Sequence, residues 1–139
     1  MRRREEETNM KRILHIGSTY AFALLFIAAG VFHVIEPSGF ARMMSGWPFP
    51  YGIIYATACL EWLLAVLLLL PNVRIVAAKM IAVYLVLIFP ANLFAAREGI
   101  PFPGQESTEQ ALLWIRLIGQ PILIGWAMSI AKREKKLKQ

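Results

Sequence analysis

The sequence has no aspartate, one cysteine (Cys59) and two histidines. One cysteine makes no disulfide within the chain and no Cys-x-x-Cys redox pair. With two histidines it cannot assemble a zinc or iron–sulfur site, so no metal is expected. A lone cysteine in an apolar run is expected to be a small buried hydrophobe. Walker loops, Gly-x-Gly-x-x-Gly and a Ser/His/Asp constellation are all missing, so soluble-type catalysis has no support. Charge is scarce too, and unevenly placed. Of 24 charged side chains, 14 lie in the 20 residues 1–12 and 132–139. The net charge of +6 therefore belongs to two tails. That excludes a nucleic-acid-binding face and suits the anionic cytoplasmic leaflet of a bilayer.

What the chain does have is apolar length. Apolar residues make 58% of its 139 residues, and the mean hydropathy is +0.53. A soluble domain this small leaves too much surface wet to hide that content, and disorder is excluded for the middle of the chain. Four stretches, 13–35, 51–70, 75–96 and 111–131, each run to at least 20 residues. At ~1.5 Å per residue each reaches ~30 Å, the thickness of the hydrocarbon core. Backbone groups in lipid must be satisfied within the segment, so helices are expected, and barrel strands would alternate. The sequence thus predicts an all-α integral membrane four-helix bundle, residues 13–131, between tails 1–12 and 132–139.

The connections fit that plan. Leu70-Pro71-Asn72-Val73-Arg74 is a tight turn, so spans two and three form an antiparallel hairpin. Segment 96–110 carries Gly99, Pro101, Pro103 and Gly104 and reads as loop. Ser107-Thr108-Glu109-Gln110 predicts a capping box opening span four. In 38–47, Phe40, Met43, Met44 and Trp47 recur at helical spacing, with Ser38 as N-cap. A short interfacial helix between spans one and two is expected, ended by Pro48 and Pro50. Trp47, Trp62, Trp114, Trp126 and Tyr51 read as aromatic belts, and Lys79 as a snorkelling side chain. The N-tail, the 70–74 turn with Lys79, and the C-tail together hold twelve Lys and Arg, against Arg42 and Arg97 on the other side. Both termini are therefore expected to be cytoplasmic, in a plasma (inner) membrane. Cleavage as a signal peptide is not expected, because the leader holds three Glu and the 23-residue run contains His15, Ser18 and Thr19.

Polar groups inside lipid are costly, at ~2.5–3.5 kcal/mol for a charge at mid-helix. The intramembrane set is His33 on span one, Glu61 on span two, Asn92 on span three, and Arg116 with Gln120 on span four. Every span contributes, as a shared polar site in a bundle requires. By depth all five lie between the midplane and the outer surface. The simplest satisfied arrangement pairs Arg116 with Glu61, braced by Gln120 and Asn92. Pro90 and Pro121 fall beside this set and can kink it open. Two readings stay open: a polar clasp fixing helix register, or a pocket for a polar headgroup that moves protons.

The chain resembles the DoxX-like membrane proteins. The resemblance rests on Ala29-Gly30-x-x-His33 with Pro37 and Phe40, on Glu61, and on Leu69-Leu70-Pro71-x-x-Arg74. Phe89-Pro90-Ala91-Asn92 and Trp114-x-Arg116-Leu117-x-x-Gln120-Pro121 complete it. The family's Leu-Pro between the Arg and the Gln is here Leu117-Ile118-Gly119. The resemblance implies a four-helix membrane protein. Some of that family are membrane subunits of quinone-linked oxidoreductases, such as thiosulfate:quinone oxidoreductase; others act in redox stress or membrane-protein assembly. It implies a quinone as cofactor, with Arg116 and Gln120 donating to carbonyl oxygen and His33 and Glu61, the candidate catalytic residues, relaying protons. A soluble or membrane redox partner would supply electrons, and the bilayer and further copies of the chain are the other partners implied. The alternative is a non-enzymatic scaffold or assembly factor, or a lipid or small-molecule binder, whose polar cluster is structural.

Overall fold

A computed structural model describes residues 2–107 and 109–139. Among them are five helices and no strand: α1 (Arg2–Ile35), α2 (Pro37–Arg42), α3 (Pro50–Leu69), α4 (Arg74–Arg97) and α5 (Gln110–Leu137). Helices α1, α3, α4 and α5 are long and apolar enough to cross a membrane. The two outer helices outrun their apolar stretches. Helix α1 starts at Arg2, where Arg2–Glu6, Arg3–Glu7 and Glu7–Lys11 sit four residues apart and support the turn. Helix α5 runs on to Leu137 through Lys and Glu, both good helix formers.

Three expectations are corrected at the helix ends and surfaces. The short helix is α2, six residues capped by Glu36, with Ser38 inside it. Pro37 sets its first turn, because a proline there loses no helical bond and its φ is already helical. Helix α5 is capped by Glu109 without a side-chain bond. The expected Ser107–Gln110 capping box therefore does not open it, and Thr108 lies outside the described residues. Cys59 is exposed, not buried. It lies on the outward face of α3 with Leu60 and Leu63, away from the buried Ala58, Glu61 and Ala65.

Helix α1 lies along α3, and α4 along α5; the two pairs join chiefly through α3 and α4, while α1 and α5 touch little. The packed core sits toward the α3–α4 turn, where Phe22, Phe26, Leu64, Leu68, Ile81 and Ile130 are buried. The outer surface is the reverse of a soluble protein's. Leu24, Leu63, Val83, Leu87, Ile118 and Ile122 are each more than half exposed, as lipid contact requires. Two tryptophans assigned to belts tie helices together instead. Trp62 Nε1 donates to the Ile27 carbonyl at 3.2 Å, and Trp126 Nε1 to Ser18 Oγ at 2.7 Å. Gly30 makes the α1–α3 contact close enough for the first of these, since a Cβ there would collide with the Trp62 indole.

Candidate functional site

Away from the packed core, the bundle opens into a cavity of about 440 Å³. Its walls come from α1, α3, α4 and α5, and His33, Glu61, Asn92, Arg116 and Gln120 all line it. Most of the rest is apolar or aromatic. Between α1 and α5, Leu25 and Ile115 stand on its rim, 42% and 65% exposed. The cavity therefore lies where those two helices part. Phe32, Phe40 and Phe102 line its loop end. Phe32 stacks on Phe102 at 5.9 Å and meets Phe40 edge-on at 5.6 Å. His33 stacks on Phe40 at 4.0 Å. Gly39 lets this roof close, because a Cβ there would stand 2.6 Å from Pro103 Cα.

The expected Arg116–Glu61 ion pair is not formed. Arg116 turns to the roof, where Nη1 donates to Met43 Sδ at 3.0 Å and the guanidinium lies 5.9 Å from the Phe40 ring and 5.8 Å from Phe102. Those are cation–π distances. Glu61 has nearer partners at its own depth. Tyr84 Oη donates to Glu61 Oε1 at 2.7 Å, and His33 Nδ1 lies 3.0 Å from Oε2. That Nδ1 also lies 2.9 Å from the Ala29 carbonyl, and its N–H is directed there, which leaves Oε2 without an aligned donor. Gln120 does not brace the pair either. Its Nε2 donates to the Leu85 carbonyl at 3.1 Å, and its Oε1 is buried without a partner. Asn92 is buried beside them. Tyr84 was not legible as a site residue. Its signal is spacing: Ile81, Tyr84, Leu85 and Asn92 recur at helical intervals on the buried face of α4.

A second polar cluster, which the sequence reading missed, closes the opposite end. Glu134 Oε2 lies 2.8 Å from His15 Nε2 and accepts from Arg74 Nη1 at 3.0 Å. Arg74 also donates from Nε to the Leu68 carbonyl at 2.9 Å and from Nη2 to the Leu69 carbonyl at 3.1 Å. It thereby satisfies carbonyls that the end of α3 leaves without helical partners. Lys138 donates to the Pro71 carbonyl. His15, Arg74 and Glu134 are all buried, so one residue each from the first span, the turn and the C-tail form an internal staple. The available signal was Glu134 itself, the one acid in the basic run 132–138. Among the described residues, no three His, Cys, Asp or Glu side chains gather as a metal site.

These features define a small all-helical protein with four candidate membrane spans and a polar chamber in one half. The chain belongs to the family described as Domain of unknown function (DUF8561), whose model matches residues 22–131. The match takes in every residue lining the chamber and leaves His15 and Glu134 outside. No curated protein and no solved structure matches the chain.

Proposed function

We propose that this protein is a DoxX-like membrane subunit of a redox system that interacts with quinone in the chamber. One observation carries the reading: four helices place five polar side chains, His33, Glu61, Asn92, Arg116 and Gln120, on one largely apolar cavity. A few polar side chains in an otherwise apolar cavity suit a ligand with a few polar atoms. The 440 Å³ volume lies in the range of small-molecule sites. A flat ring with polar edges fits aromatic walls with a few hydrogen-bonding groups. Arg116 would hold a ring oxygen from the roof. Gln120, its amide nitrogen already committed to the Leu85 carbonyl, would close the deep wall and not act as the donor that the sequence suggested. His33 and Glu61 would hold and pass protons. A quinone supplies two-electron, two-proton chemistry when bound, and a partner protein would supply the electrons.

In this reading the protein sits in the plasma (inner) membrane with both termini cytoplasmic, since the Lys and Arg excess lies on that side. Helix α2 lies in the outer interface. The scaffold reading draws on the Glu61–Tyr84 bond and the Gln120–Leu85 bond, which clasp three spans. Solvent extraction of the protein purified in mild detergent decides between them. Quinone near one per chain supports the proposal; a well-folded protein that yields none, and takes up none when it is added, favours the scaffold.

A further inference from the structure

A second cleft, of about 430 Å³, lies away from the chamber, beside the staple. Lys11, Leu14 and His15 line it from α1, and Arg133, Lys136 and Leu137 from α5. Lys11, Arg133 and Lys136 are exposed. Among the described residues, no acid stands within ion-pair distance of any of the three. Glu134, next to Arg133 in the chain, is buried and already held by His15 and Arg74. The cleft thus gathers three uncompensated cations from two helices that otherwise touch little. Like charges converge at a cost, which an anion between them removes. The depth of the cleft follows from the sequence. Lys11 comes two residues before the apolar stretch 13–35, and Arg133 two residues after 111–131. Both therefore stand at the level of lipid headgroups. Ile13 and Leu14, 69% and 60% exposed, begin the lipid-facing surface of α1 at the same level.

We propose that this cleft is a binding site for the headgroup of one anionic phospholipid. The phosphodiester carries the negative charge. Arg133 presents a planar fork suited to two phosphate oxygens, and Lys11 and Lys136 add point charges from the two helices. The acyl chains continue past Leu14 along the apolar surface of α1. A lipid seated here touches both helices and bridges their seam next to His15. The site is separate from the chamber and does not depend on the quinone reading.

The test is lipid binding to the full chain in non-ionic detergent, counted by native mass spectrometry. The probes are dioleoyl phosphatidylglycerol, which is anionic; dioleoyl phosphatidylcholine, which carries the same phosphodiester beside a choline cation; and glycerol phosphate, which has no acyl chains. One phosphatidylglycerol per chain should bind about tenfold more tightly than phosphatidylcholine, since each cation near an anionic headgroup is worth about fivefold. Lys11→Gln, Arg133→Gln and Lys136→Gln together should abolish that preference. Arg12→Gln, Lys132→Gln and Lys135→Gln together remove the same charge at the same depth, from residues that do not line the cleft, and should leave the preference in place. All six side chains are exposed, so both triple variants should keep the helix content of the wild type by circular dichroism. Equal affinities for the two lipids, or equal losses in the two triple variants, overturn the site. Displacement of phosphatidylglycerol by glycerol phosphate overturns the lipid as its occupant.

Discussion

Glu61 brings a carboxyl group into the middle of α3, and Tyr84 is what makes that tolerable. The 2.7 Å bond between them joins α3 to α4 with both groups buried. Leaving a buried acceptor without its donor costs about 1–3 kcal/mol, so Tyr84→Phe should destabilise by about that much in a detergent unfolding titration. Glu61→Gln and Tyr84→Phe together should cost less than the sum of the two singles, with a coupling of about 1–2 kcal/mol; additive losses would mean the pair is not energetically joined. The five chamber residues were legible because a polar side chain in an apolar span is conspicuous. Their partners were not. Whether Arg116 meets Glu61 or the Phe40 and Phe102 rings depends on the rotation of α5 and on where α2 and the 98–109 loop come to rest. No periodicity encodes either. His15, Arg74 and Glu134 went unseen for the opposite reason: they lie at span ends, where charges are ordinary.

At the scale of elements, the four long helices were plain from apolar length, while the ends were not. The charged continuations of α1 and α5 hold helix by local pairing and propensity, which hydropathy does not report. Two close approaches then set how elements sit. Gly30 admits the Trp62 indole between α1 and α3, and Gly39 admits Pro103 beneath α2. Gly30→Ala should cost about 1–3 kcal/mol as overpacking, read as a lower unfolding midpoint. Gly39→Ala meets backbone at Pro103 and not a flexible side chain. It should therefore displace the roof, and the fluorescence of a dye placed on the 98–109 loop should change while helix content by circular dichroism stays constant.

For the whole molecule, the His15–Arg74–Glu134 staple joins the middle of α1, where its apolar stretch begins, to the α3–α4 turn and the end of α5. Removing one member of a buried ionic group costs about 3–5 kcal/mol, because the others stay buried and unpaired. Glu134→Ala should therefore lower detergent stability severely. Lys138→Ala, whose ammonium stands 3.9 Å from Glu134 Oε1 and is well exposed, should cost under about 1 kcal/mol. Topology is tested on the same scale: reporters at the N-tail, Asn72 and the C-tail should read cytoplasm, and those at Gly46 and Gly104 the outside. The staple also has a mechanical meaning. Helices α1 and α5 are pinned together at one end, by His15 with Glu134 and Ser18 with Trp126, and part at the other, as the two arms of a peg do about its spring. From Ser18 to His33 the arm is ~22 Å long, so a tilt of ~5° at the pivot moves the jaw by ~2 Å, comparable to the clearance a flat ring needs. The aperture is thus set by the fit of side chains lying about three-quarters of the hydrocarbon core's thickness from it.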